Sequence, residues 1–180
     1  GGTGTQIYTG DVTLGNATAG NDVTLEGSTI TLGGRVDGTA AGANGLTVTG
    51  NAVLGGIVAD SLAGTALEFL TVSGTTALNG GAAVDTVETT GLQTYTGPVT
   101  LGANARLNST GGAAILFGST VAGAGFDLFV NTAGLTTFTG AVGTLASVTT
   151  DGGTATISGG SVTTTGLQSF GDAVTVTMDT

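Results

Sequence analysis

Three times the chain writes nearly the same phrase. Gln6-Ile7-Tyr8-Thr9-Gly10-Asp11-Val12-Thr13-Leu14-Gly15 returns as Gln93-Thr94-Tyr95-Thr96-Gly97-Pro98-Val99-Thr100-Leu101-Gly102, and again, shortened, as Gln168-Ser169-Phe170-Gly171-Asp172-Ala173-Val174-Thr175-Val176. The two later copies are both introduced by Thr-Gly-Leu-Gln, at Thr90 and at Thr165. Self-similarity at this scale is the mark of a chain built by stacking supersecondary units, none of which buries its apolar face alone. It points to function through length and surface rather than through one pocket.

The units are 87 residues long (Gln6 to Gln93) and 75 (Gln93 to Gln168). Within them Ile30-Thr31-Leu32-Gly33 with Val36-Asp37-Gly38 matches Ile115-Leu116-Phe117-Gly118 with Val121-Ala122-Gly123, and Leu46-Thr47-Val48 matches Leu128-Phe129-Val130. The length difference accumulates in Gly/Ala/Asn-rich stretches such as Thr39 to Gly45, as expected of a solenoid that takes insertions at its corners. The domain reading is a single repeat domain over 1–180, with long repeats at about 6–92 and 93–167 and a partial one at 168–180. Because the pattern is cut at both ends, the chain is expected to be a segment of something longer.

Short β-branched runs carry the secondary-structure signal: Val12-Leu14, Val23-Leu25, Thr29-Leu32, Leu46-Thr49, Leu67-Val72, Val84-Val87, Thr94-Tyr95, Val99-Leu101, Ala114-Phe117, Phe126-Val130, Thr136-Phe138, Ala155-Ile157, Val162-Thr164 and Val174-Met178. Apolar residues alternate with Thr or Ser inside them, the period of a strand with one buried face, and Gly, Asn, Asp and Ser bound them as turn residues. No Gly-free window of ten residues has a helical period. The fold expected is all-β, a parallel β-helix (β-solenoid) of about eight or nine coils at about twenty residues each. Inward Val, Leu, Ile and Phe would stack as ladders, with Phe69, Phe117, Phe126, Phe129, Phe138, Phe170, Tyr8 and Tyr95 as candidate stacked aromatics. The alternative is a β-sandwich fibre subunit, which requires tight hairpin turns. Only Asn44-Gly45, Asn79-Gly80, Asp37-Gly38 and Asp151-Gly152 offer them.

Composition narrows the function classes. Charged residues are 8% of the chain, against about a quarter in ordinary domains, while 39% are hydrophobic and the mean hydropathy is +0.43. That apolar content separates the chain from disordered Gly- and Ser-rich sequences. Twelve acids face two basic residues, Arg35 and Arg106, for a net charge of −10. Nucleic acid is excluded as a partner, since phosphate recognition needs clustered Lys and Arg. No apolar run reaches the 18 or so residues of a membrane span, and no stretch of the sequence reads as a signal peptide. Without Cys there is no disulfide framework.

With these residues in view, the chain resembles the repeat regions of filamentous haemagglutinin-type adhesins and autotransporter passengers of bacteria. The recurring Leu-Gln-x-(Tyr/Phe)-x-Gly-x-Val-Thr-Leu-Gly unit, the Gly/Thr/Ala/Asn background and the near absence of basic residues and Cys carry the likeness across almost the whole chain. The resemblance implies a parallel β-helix exported through an outer-membrane pore, located extracellularly or at the cell surface and often built into long fibres. Neither the secretion-domain motif nor the terminal barrel of such proteins is in this segment. The function expected is a stiff extracellular fibre or adhesin rod for surface attachment or matrix. Its partners would be further copies of itself or neighbouring repeats, and a host surface or polysaccharide. The alternatives are an ice-binding solenoid, or a polymerising pilus- or S-layer-like subunit.

Chemistry is sparse. With no His or Cys, nucleophilic triads and ordinary zinc sites are ruled out, and no clustered acid pair suits glycoside hydrolysis. The chain is therefore not expected to be an enzyme, and no catalytic or cofactor residues are assigned. Calcium, which takes oxygen ligands at turns, has weak candidates in Asp22, Asp85 and Asp151. Asp85 lies in Gly80 to Val87, an incomplete single echo of the calcium-binding nonapeptide. Ice binding would need Thr-x-Thr pairs once per coil. Such pairs start at Thr47, Thr94, Thr137, Thr154 and Thr175, in steps of 47, 43, 17 and 21 residues, too irregular to suggest one face. The sequons at Asn16 and Asn108 occupy different places in their repeats. Gln6, Gln93 and Gln168 are expected at corner or inward hydrogen-bonding positions.

Overall fold

The computed structural model describes residues 3–15, 20–59, 64–81 and 86–177. Among these there is no helix, and every strand pairing is parallel. The chain is a parallel β-solenoid, and among the described residues no antiparallel hairpin of the kind a sandwich requires is formed.

Each coil has three faces. β1 (Thr5–Tyr8) lies on the first and β2 (Val12–Leu14) on the second. β3 (Val23–Leu32) opens the third face and runs on round the corner to the first, its register breaking between Glu26 and Thr29. β4 (Val36–Gly38) returns to the second face, and β5 (Leu46–Leu54) again covers the third and the first. Val58 alone bridges on the second face of the next coil. Thereafter each face has its own strand, in the order third, first, second. These are β6 (Leu70–Val72), β7 (Thr76–Leu78), β8 (Val87–Thr89), β9 (Gln93–Tyr95), β10 (Val99–Leu101), β11 (Ala105–Ser109), β12 (Ile115–Phe117), β13 (Val121–Ala122), β14 (Asp127–Thr132), β15 (Leu135–Phe138), β16 (Val142–Leu145), β17 (Ser147–Asp151), β18 (Thr154–Ile157), β19 (Val162–Thr164), β20 (Gln168–Phe170) and β21 (Ala173–Val176).

Val23, Leu46, Leu70, Gln93, Ile115, Thr136, Ala155 and Val174 stand one above another on the third face, eight rungs and seven turns from first to last. At about 4.8 Å per rung the stack is about 34 Å tall. Coils shorten upward: Leu46 to its partner Leu70 is 24 residues, Ala155 to Val174 only 19. The extra residues of the lower coils sit in corner loops such as Thr39 to Gly45, between β4 and β5.

The core is the inward column of each face. Ile30, Val99, Val121 and Val142 come from the first face, Val36, Val58, Val87, Leu107 and Val130 from the second, and Leu46, Leu70 and Ile115 from the third, all 1% exposed or less. Burying one such side chain stabilises the fold by about 1.5–3 kcal/mol. Three of the candidate aromatics form one column: Tyr95 and Phe117 stack at 5.5 Å, Phe117 and Phe138 at 5.0 Å, with their planes tilted by 15° and 8°. Phe129 instead faces outward, with the Arg106 guanidinium 4.4 Å above its ring, a cation–π contact. Tyr8, Phe126 and Phe170 pack half-buried against the core.

Corners follow two rules. Between the third and first faces the chain folds so tightly that a Cβ on Gly74 would stand 2.6 Å from the Gly50 carbonyl oxygen below, so only glycine fits. At this corner and at others, Asp or Asn reaches up one coil. Asp11, Asp22, Asn51 and Asn104 each accept from a backbone N–H of the next coil, at Arg35, Gly45, Thr75 and Asp127, over 2.8–3.0 Å. Side chains thus satisfy backbone groups that the ladder leaves open where the chain turns.

The sequence repeat is out of step with the coil. Gln6 stands on the first face, Gln93 on the third and Gln168 on the second. Each long repeat advances eleven faces, three turns and two thirds rather than four, so every copy is rotated back by one face. The other matched segments obey the same shift: Ile30 is on the first face and Ile115 on the third, Val36 on the second and Val121 on the first. The glutamines therefore form no common ladder.

Candidate functional site

Glutamine and tyrosine two residues apart point inward together. Gln93 is fully buried. Its Nε2 donates to the Asn108 carbonyl at 2.9 Å and to Thr89 Oγ1 at 3.3 Å, while Tyr95 Oη donates to Gln93 Oε1 at 3.0 Å. The first copy repeats the device: Tyr8 Oη donates to Gln6 Oε1 at 2.8 Å and Gln6 Nε2 donates to the Glu26 carbonyl. In the third copy Phe170 has no hydroxyl, and Gln168 Nε2 donates to the Val162 carbonyl at 3.2 Å. These glutamines are lumen cross-ties between faces. Burial pushes the Tyr95 phenol far above its usual range, so it remains a neutral donor.

The three outer surfaces differ sharply. The second face carries charge and amide: Asn108, Asn131 and Asp151 are successive outward neighbours above a fully buried Glu88, with Arg106 and Asp127 beside them. The first face is mixed, with Ile7, Thr31, Val53, Ala77, Thr100 and Ala122 in its outward row.

The third face is a hydroxyl array. Its inner outward row reads Thr24, Thr47, Thr71, Thr94, Leu116, Thr137, Thr156 and Thr175, one residue per rung in unbroken register. Two residues further along, within β3 and β5 and just past the ends of the other strands, stands a second row, Glu26, Thr49, Ser73, Thr96, Gly118, Thr139, Ser158 and Thr177. Between the rows, pointing inward, stand Val48, Val72, Tyr95, Phe117, Phe138, Ile157 and Val176, so the aromatic column lies directly beneath the array. All five Thr-x-Thr pairs seen in the sequence belong to this face. Their uneven spacing is largely resolved by the fold: the steps of 47 and 43 residues each span two coils, and the pair starting at Thr154 is offset by two residues, with Thr156 rather than Thr154 standing above Thr137.

Beside the third face, at its corner with the second, Glu68, Phe69, Thr71, Gly91, Leu92 and Ala113 line a shallow groove of about 440 Å³ with a single carboxylate.

Of the calcium candidates, Asp22 holds the Gly45 N–H at 2.8 Å in the lowest coils, and Asp151 lies on the second face near the top. Asp85 is outside the described residues, as is half of its nonapeptide echo. Asp22 and Asp151 are not brought together, and no group of three carboxylates forms among the described residues. Burial raises the Asp151 carboxyl above its ordinary range, Arg106 opposes that rise and Asp172 adds to it. Asp151 Oδ1 is buried without a hydrogen-bond partner.

Asn108 of the second sequon is an outward residue of β11, and Asn16 is outside the described residues. The register of the third face could not be read from residue spacing alone; the Thr-x-Thr pairs at five of its rungs were the available signal. Compared with known proteins, the chain matches no family model, no curated protein and no solved structure.

Proposed function

We propose that the chain is a rod segment of an extracellular fibre or adhesin of the filamentous haemagglutinin type, acting mechanically to hold surfaces or neighbouring subunits apart. The observation that supports this reading is the continuous core column with its stacked rings. Every coil rests on the one below through three parallel ladders and one apolar lumen, an architecture in which stiffness grows with each added unit. Val174 and Val176 occupy inward ladder positions, yet are 41% and 66% exposed on the last described rung. A further rung, from the same or another chain, would bury them as Val48 and Val72 are buried below. The uncharged lumen and the glycine corners add coils without adding repulsion along the axis.

The test is immunogold electron microscopy on intact source cells with an antibody raised against this chain. Label on thin rods outside the cell is the expected result. Label confined to the cell interior, or on compact particles, overturns the reading.

A further inference from the structure

We infer that the third face is an ice-binding plane, a second function that stands independently of the rod. The two rows form a two-dimensional lattice. Neighbouring residues are about 4.8 Å apart up the ladder and, where the chain stays extended from one row to the next, about 6.7 Å apart across it, spacings close to oxygen repeats of hexagonal ice. Each threonine presents a methyl, which orders first-shell water, beside a hydroxyl that both donates and accepts. β-Branching limits χ1, so the array is stiff before water arrives.

Two further observations select water lattice over a merely soluble strand surface. Among the described residues, no inner-row threonine makes a side-chain hydrogen bond within the chain, whereas Thr89, Thr132 and Thr164 elsewhere bond backbone carbonyls at 2.6–2.9 Å. The inner-row hydroxyls are thus directed to solvent, while in the second row Ser73 Oγ accepts from the Gly50 N–H and Thr177 Oγ1 donates to Ser158 Oγ. Charge is also sorted away: Glu26, on the lowest rung, is the one charged residue in either row, while the second face collects acids and Arg106. Strand propensity favours threonine on any pleated surface, but would spread it over all three faces. Only the third has it at seven of eight rungs, and only there does a stack of three aromatic rings lie directly beneath the sheet.

The test is partition of the folded chain into slowly growing ice, with thermal hysteresis measured on the same samples. The wild type is expected to enter the ice and depress the freezing point. Thr94→Tyr with Thr137→Tyr, which puts two bulky rings into the inner row, should lose most of both activities, whereas Thr100→Tyr on the first face should keep them. Circular dichroism melts verify that each variant is folded. Leu116→Thr closes the one gap in the inner row and should exceed the wild type. A wild type left in the liquid without hysteresis overturns the inference. So does equal loss from the first-face variant, or a Leu116→Thr chain no more active than its parent.

Discussion

Tyr95 shows how much a single buried polar atom matters in this lumen. Its hydroxyl is the donor seen on Gln93 Oε1, and both residues are fully buried. Tyr95→Phe keeps the ring stack on Phe117 and strands the amide oxygen. Leaving a buried acceptor unsatisfied costs about 1–3 kcal/mol, so denaturant unfolding should shift by that amount toward instability, although the change adds apolar character. An unchanged midpoint would mean that water replaces the hydroxyl. Asp151 works in the opposite direction. Its folded-state carboxyl is raised, chiefly by burial, so the folded chain holds the proton more tightly than the unfolded one. The stability linked to that proton is present below the ordinary carboxylate range, near pH 4, and is lost as pH rises through the raised value. Asp151→Asn is expected to be more stable than the parent at neutral pH and to flatten this part of the pH profile. Melts from acid to neutral pH decide it: a variant that is less stable at neutral pH would show that attraction to Arg106 outweighs burial.

At the scale of strands, the sequence was legible wherever apolar and hydroxyl residues alternated cleanly. β2, β10 and β19 have the bounds that the pattern predicts. It failed where the outward residues were large and polar, as in β11 with Arg106 and Asn108 and β17 with Thr149 and Asp151, or where Ala and Gly diluted the signal, as in β7 and β16. The run Leu67 to Val72 reads as one strand but bends: Leu67 bridges to Thr89 on the second face, and the strand proper begins at Leu70 on the third. Corners hide in the same way throughout, because a face change needs only a glycine or an Asx cap that looks like any other turn. The threonine face was hidden for a related reason. Its members recur every 19 to 24 residues as coils shorten, so linear spacing scrambles a row that hydrogen-bond register makes straight. The aromatic column was legible as residue type and not as position, since only the ladder reveals that Tyr95, Phe117 and Phe138 share one face while Phe129 points the other way.

For the whole molecule, the eleven-face period separates two kinds of matching that ordinary solenoids merge. The long repeat moves a motif from face to face, so no motif is tied to one side of the rod. What must match is each rung with the rung directly beneath it, where ladder bonds, inward side chains and corner glycines meet. In a stack of nearest-neighbour units, stability is close to a sum of unit and interface terms. Deleting residues 115–135 removes one whole coil and sets β15 on β9, which keeps a ring over Tyr95 and leaves every later strand on its own face. Deleting 115–126 removes only β12 and β13, but sets β14 on β9, β15 on β10 and β16 on β11. Leu128 and Val130 would then cover Gln93 and Tyr95, Phe138 would leave the aromatic column, and one complete interface would be mismatched. The shorter deletion is therefore expected to be the less stable of the two, by a lower denaturant midpoint, even though it retains more of the chain. If it proved as stable as the whole-coil deletion, axial order would have to come from the backbone ladders alone, with the side-chain columns filling whatever lumen the coils enclose.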